Sequence, residues 1–200
     1  MNEAFGWDAA FCPDPPPLEA GGKPMTFNEI YIGGSSAFHV WTAAEVERLD
    51  GLGLVQLPVW VPTPGADNPR QAALQAASIL HDLGVPAYAS PWRVLMWDLE
   101  TGSPAIYGSW LTAAADTLAS RGYGSLSYAD LANGVLSLPQ RTGRIVAHWD
   151  GQPVLESGQL GHQYQPGVSV PGAELLTGRP ALVDLNVIDT RLLPHLGRIS

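Results

Sequence analysis

Two hundred residues, 46% hydrophobic and only 14% charged, suffice for one domain with a sizeable core. A formal net charge of −9 with a single lysine, Lys23, repels nucleic-acid phosphate and offers no basic patch to an anionic membrane, so neither partner is expected. One cysteine, Cys12, excludes an intramolecular disulfide, and 22 glycines and 18 prolines predict turns and loops rather than a helical bundle.

No apolar stretch approaches the roughly 18 residues of a membrane span. The start, Met1-Asn2-Glu3-Ala4-Phe5, has no basic region followed by an apolar one, so no secretory signal is read. The expectation is a protein that stays in the cytoplasm, one released by lysis or built into a particle, or one domain of a longer chain.

Residues 4–8 read as a first strand with Asp8 at its C-terminal end. Residues 11–24 hold Pro13, Pro15, Pro16, Pro17 and Pro24 and predict an irregular loop, because proline fixes φ and supplies no donor. Residues 29–33 form a second strand, turning at Gly33-Gly34. Thr42 and Glu45 make a capping box for a helix that reaches about Leu49. Residues 54–61 read as a strand with a bulge or early end at Pro58. Asn68-Pro69 opens a helix with an apolar face of Ala72, Leu74, Ala76, Ala77, Ile79, Leu80 and Leu83, closed by Gly84.

The apolar run Val94 to Trp97 predicts a strand buried on both faces, followed by Asp98 and Glu100 and stopped at Gly102-Ser103-Pro104. The next helix carries Trp110, Leu111, Ala114, Ala115 and Leu118 and ends at Arg121-Gly122. Residues 123–128 form a short strand, 127–138 a weak helix closed by Pro139, and 143–150 a strand ending in Asp150. Residues 161–164 form a brief strand and 168–180 a turn-rich stretch. Residues 181–187 are the last strand, carrying Asp184, and 190–200 a closing helix or turn.

Strands that alternate with helices or loops predict an α/β fold with a parallel sheet. About eight strands fit a closed (β/α)8 barrel of the TIM type, compact, with some helices replaced by loops. An open doubly wound sheet would place a glycine-rich phosphate loop after the first strand, and Trp7-Asp8-Ala9-Ala10-Phe11 has none. In a parallel barrel the C-terminal strand ends share one rim. That rim would collect Asp8, Asp98, Glu100, Asp150, Gln163, Tyr164 and Asp184, with Trp97 and Trp149 beside them and Tyr31 and Trp60 as further candidates.

Asp98 and Glu100, two apart on a strand, face the same way about 6.5 Å apart and repel, which separates their pKa values and suits acid–base work. Acids with aromatic platforms suit a carbohydrate. Each strand-end acid also has a plainer reading as a helix cap or loop anchor, and Asp150-Gly151 favours a turn. Trp97 and Trp149 are open between platform and core. Cys12 reads as a buried or loop thiol. His39, His81, His148, His162 and His195 form no tight ligand pair, so no metal and no cofactor are expected. No G-x-S-x-G elbow surrounds a serine.

Gly6-Trp7-Asp8, Trp97-Asp98-Leu99-Glu100, Ala147-His148-Trp149, Gln163-Tyr164 and Val183-Asp184-Leu185-Asn186 occur in the order seen in glycoside hydrolase family 25 lysozymes. The chain resembles these, and more closely the related glycoside hydrolase-like domain of unknown function from actinobacteria and their phages. The resemblance implies a (β/α)8-type barrel and cleavage of peptidoglycan between N-acetylmuramic acid and N-acetylglucosamine. It implies Glu100 as general acid, Asp98 as the carboxylate that steadies the N-acetyl group or the developing positive charge, and Asp8 and Asp184 as supporting acids. Gln163 and Tyr164 match a rim motif. Ala9-Ala10 departs from the hydroxyl-bearing sequence usual in the lysozymes, and the proline-rich loop is closer to the uncharacterised relatives.

The expected function is hydrolysis of cell-wall polysaccharide, with the Glu100 pKa raised by Asp98 and by burial against Trp97 while Asp98 stays ionised. Trp97, Trp149, Gln163, Tyr164, Tyr31 and Trp60 would bind the glycan. The alternative is a non-catalytic glycan-binding module, or a structural module of a phage virion or other multidomain assembly.

Overall fold

A computed structural model describes residues 2–49, 51–101, 104–130, 143–155, 157–175 and 178–197. Eight strands close into a barrel: β1 (Glu3–Asp8), β4 (Phe27–Gly33), β5 (Val55–Trp60), β6 (Val94–Asp98), β7 (Gly124–Asp130), β8 (Arg144–Ala147), β9 (Gly161–Glu174) and β10 (Pro180–Asp189), which returns beside β1. Strands β1 and β4 through β9 run parallel, as expected, but β10 is antiparallel to both of its neighbours. The reason is connection length. Residues 175–179 are too few for a parallel crossover, which needs a dozen or more, so the chain can only fold back as a hairpin. The antiparallel register pairs Asp8 with Asp184, so the last strand still delivers its acid to the same rim.

Three α-helices lie among the described residues: α1 (Ala43–Glu47), α2 (Pro69–Asp82) and α3 (Pro104–Ala119). The capping box at α1 forms as expected: the Glu45 amide donates to Thr42 Oγ1 and the Thr42 amide donates to Glu45 Oε2, 2.8 Å away. Asn68 Oδ1 caps α2 by accepting from the Arg70 and Gln71 amides. A 3-10 helix (Thr190–His195) closes the far end of the barrel. No helix among the described residues is long and apolar enough to cross a membrane.

Four local expectations are corrected. Strand β5 runs straight through Pro58, whose missing N–H falls before the ladder to β6 begins at Val59. The 11–24 loop contains a small hairpin, β2 (Glu19–Ala20) with β3 (Lys23–Pro24), turned by Gly21 and Gly22, whose positive φ angles suit glycine. The stretch 168–174 belongs to β9, which extends far past residue 164 as a largely exposed arm of the final hairpin. The weak helix expected over 127–138 begins where β7 is still a strand; its remainder, like Gly102-Ser103, lies outside the described residues.

Two apolar layers follow from strand alternation, in which successive side chains take opposite faces. The inward layer is Ala4, Phe27, Leu57, Val59, Met96, Leu126, Ile145 and Ile188, plugged from below by Leu192 and Leu196. The outward layer packs Trp7, Ile30, Leu95 and Trp97 among the helices, with Ala73, Ala76, Leu80, Ala114 and Leu118. Each such side chain contributes roughly 1.5–3 kcal/mol by leaving water. At Gly6 the Phe27 ring fills the space that a Cβ would need, 2.5 Å away, so only glycine fits there.

Candidate active site

The same alternation that buries the core delivers polar groups to the mouth. On β6, Trp97 turns outward and Asp98 inward; on β1, Trp7 turns outward and Asp8 inward. The ladder continues past β6, where the Leu99 amide donates to the Tyr128 carbonyl at 2.8 Å, so Glu100 returns to the face of Asp98. The Glu100 amide donates to Asp98 Oδ1 at 3.2 Å. Asp98 and Glu100 line a cleft of about 220 Å3 with Tyr31, Phe38, His39 and Val61. A larger hollow of about 410 Å3 lies on the flank, beside Trp60, Asp67 and Gln71. It holds none of the inward acids, so the convergence of acids rather than size singles out the mouth.

Asp8 is held by a specific network. Its Oδ2 accepts from Gln163 Nε2 at 2.7 Å and from Asn186 Nδ2 at 2.8 Å, and its Oδ1 from the Tyr31 hydroxyl at 3.4 Å. The orientation of the Gln163 amide follows from its other partners. Trp149 Nε1 can only donate, and it lies 2.8 Å from Gln163 Oε1, as does the Tyr128 hydroxyl at 2.7 Å. That leaves the Gln163 NH2 to face Asp8. Asp184 Oδ1 accepts from the Gly167 amide at 2.7 Å.

Asp8, Asp98, Glu100 and Asp184, like the deeper Glu29, are shifted towards the protonated form. Burial, then repulsion from Asp184, pushes Asp8 up to about 7, against the pull of the two amides. Burial and then Glu100 hold Asp98 well above the usual carboxylate range. Glu100 is an exposed residue, yet the protein around its carboxyl raises its pKa, Asp130 adds to the rise and the Tyr128 hydroxyl opposes it. Burial raises Asp184, while its bond from Gly167 lowers it. The expected causes are corrected: Glu100 is raised by its surroundings with Asp130 as the leading charge, Trp97 turns to the other face of the strand, and Asp98 is itself raised.

The expected binding residues divide between the two faces. Tyr31, Gln163 and Trp149 reach the mouth, where Trp149 is 56% exposed. Trp97, Trp60 and Tyr164 do not. Trp97 is fully buried, donates to Ser125 Oγ and meets Trp110 of α3 edge-on. Trp60 faces the flank hollow, and Tyr164 packs in the outward layer. Each sits one residue out of phase with the inward set.

Other groups at the mouth were not singled out from sequence: Glu29, Tyr128, Asp130 and the role of Asn186. Counting by twos from Tyr31, and from Asp184, finds Glu29 and Asn186. Phe38, 85% exposed, stands edge-on to Phe11, which stacks on His39 at 4.2 Å. His39 Nε2 pairs with Glu45 Oε2 at 2.9 Å, fixing this aromatic wall to the capping box.

His148, Asp150 and His162 bring ligand-type atoms within 4.8 Å of one another. His162 Nε2, the nitrogen nearest Asp150, however, lies 2.6 Å from the His148 carbonyl, which only accepts, so the contact suits an N–H there rather than a lone pair for a metal. Asp150 Oδ1 accepts from the Gln152 amide, the turn role that Asp-Gly favours. Cys12 is buried and its thiol is pushed up to about 12, mainly by that burial, which makes it inert.

No family model and no curated protein matches the chain. Solved structures do. An uncharacterized protein of B. stearothermophilus superposes with TM-score 0.68 at 21% identity, covering 96% of this chain and 99% of its own. The bacterial lysozyme of Streptomyces coelicolor gives TM-score 0.66 at 15% identity, covering 98% and 97%. A family GH25 lysozyme of Aspergillus fumigatus gives 0.59 at 10%, covering 98% and 100%. Over nearly its whole length, the chain has the fold of the GH25 lysozymes.

Proposed function

We propose that the chain is a glycoside hydrolase acting on bacterial cell-wall peptidoglycan or a related polysaccharide. The observation that carries this reading is the convergence of Asp8, Asp98, Glu100 and Asp184 in a barrel mouth walled by Phe38 and Trp149. The fold shared with lysozymes supports the choice of substrate. Glu100, at the open edge of the cleft with a raised pKa, is the general acid that protonates the glycosidic oxygen. Asp98 lies deeper and stabilises the oxocarbenium-like or oxazolinium-like state. Its charge is unfavourable in the empty site and becomes favourable as positive charge develops beside it, which is the differential binding that lowers a barrier. Asp8, aligned by Gln163 and Asn186, is the supporting acid.

The Phe38–Phe11 wall and Trp149 offer flat apolar faces for sugar rings, with Tyr31 as a hydroxyl partner. A second reading is a glycan-binding module on the same barrel, for which the exposed faces of Phe38 and Trp149 serve equally well. Digestion of purified peptidoglycan, with masses of the released fragments, separates the two. Wild type releasing fragments with new reducing ends, and Asp98→Asn releasing none, supports hydrolysis. Retention of glycan without fragments supports the binding module.

A further inference from the structure

Beneath the mouth lies an acid to which the proposed hydrolysis assigns no proton transfer. Glu29 is 1% exposed, on the inward face of β4 next to Asp8 of β1. Its Oε1 has no hydrogen-bond partner, and no salt bridge among the described residues joins it to a cation. The charged and titratable groups facing it from the surrounding strands are Asp8, Tyr31, Asp98, Glu100, Tyr128 and Asp184, none of which is cationic. On the other flank of β1, the buried Asn186 Oδ1 is a second acceptor without a partner, while its amide is committed to Asp8. Gly6 of β1 pairs with Phe27 on one side and with Asn186 on the other, so both unpartnered acceptors lie against the same strand.

A buried carboxylate with no cation beside it and an oxygen without a donor is an unfavourable arrangement in a protein interior. A proton removes the charge and turns one acceptor into a donor. We propose that Glu29 is a permanently protonated carboxylic acid that acts as a positioning residue: it forms a neutral floor under Asp8, so that the inward acids share one negative charge fewer. Burial and the acids above it push its pKa in the same direction. This role rests on the mouth being an active site, but its test needs no turnover, so failure of the protonated acid and failure of hydrolysis are read separately.

The test is 13C NMR of the full chain labelled at glutamate and aspartate carboxyls, from about pH 5 to about pH 8, for wild type, Glu29→Gln and Glu100→Gln. One glutamate resonance should keep the shift of a protonated acid across the range, vanish in Glu29→Gln and persist in Glu100→Gln. The Asp8 midpoint should stay in place in Glu29→Gln, because a neutral isostere replaces a neutral acid. Glutamate resonances that are all carboxylate at pH 7 would overturn the proposal. So would an Asp8 midpoint lower by about one pH unit in Glu29→Gln, a tenfold change in proton affinity that reports a removed charge. Should Glu29→Gln fail to fold, the wild-type spectrum still decides.

Discussion

The outer face of the barrel strands and the inner face at its mouth use adjacent residues for opposite ends. Trp97 is sealed against Ser125 and Trp110, while Asp98 opens into the cleft. Trp7 stacks on Trp41 and donates to the Pro17 carbonyl, while Asp8 is held by side-chain amides across the barrel. One face gains from expelling water. The other keeps charges that repel, and tolerates them for what they can do when a ligand arrives. A two-residue period separates stability from chemistry within a single tetrad.

Substitutions on each face should break this division in different ways. The largest effect belongs to Glu100→Gln, which should lower the rate of glycan cleavage roughly 100- to 10,000-fold with the melting temperature unchanged. Trp97→Ala should do the reverse, destabilising the fold by about 3–5 kcal/mol in denaturant unfolding while the folded fraction cleaves normally. Asp8 gives a pH signature. Its pKa rises from about 4 in the unfolded chain to about 7 when folded, so the folded state binds the extra proton in that window. The Asp8 contribution to stability is then fully present below about pH 4 and is lost as pH rises through about 7. Thermal scans from pH 4 to 8 should show this fall in wild type and a flatter profile in Asp8→Asn. The smallest effect is that of Trp149→Ala, which removes an exposed platform worth about 0.5–1.5 kcal/mol. Glycan binding should weaken about two- to tenfold, with little change in folding.

The barrel was legible because the alternation of strands and helices is a strong pattern, and the strand-end position of Asp8 and Asp98 follows from it, whereas Asp184 lies mid-strand and reaches the rim through the antiparallel register of β10. Facing was not. Trp97 and Tyr164 were grouped with the acids by closeness in sequence, but period 2 puts neighbours on opposite sides, and only a fixed register tells which side is which. Glu29 was hidden because the strand was read from residue 29, whereas β4 begins at Phe27 and closure of the barrel buries this acid. The antiparallel turn of β10 was obscured by Pro166, Gly167, Pro171 and Gly172, which read as loop but lie within β9. The Phe38–Phe11–His39 wall joins residues far apart in sequence through the fixed position of α1, which composition does not reveal.

The most direct test of Glu100 as a glycosidase acid is the release of new reducing ends from purified peptidoglycan by wild type and by Glu100→Gln, each first shown to be folded by thermal melting. A general acid at this position predicts release by wild type and loss of at least about a hundredfold in the variant. Equal release by both would remove Glu100 from that role, and no release by a folded wild type would contradict hydrolysis of this wall.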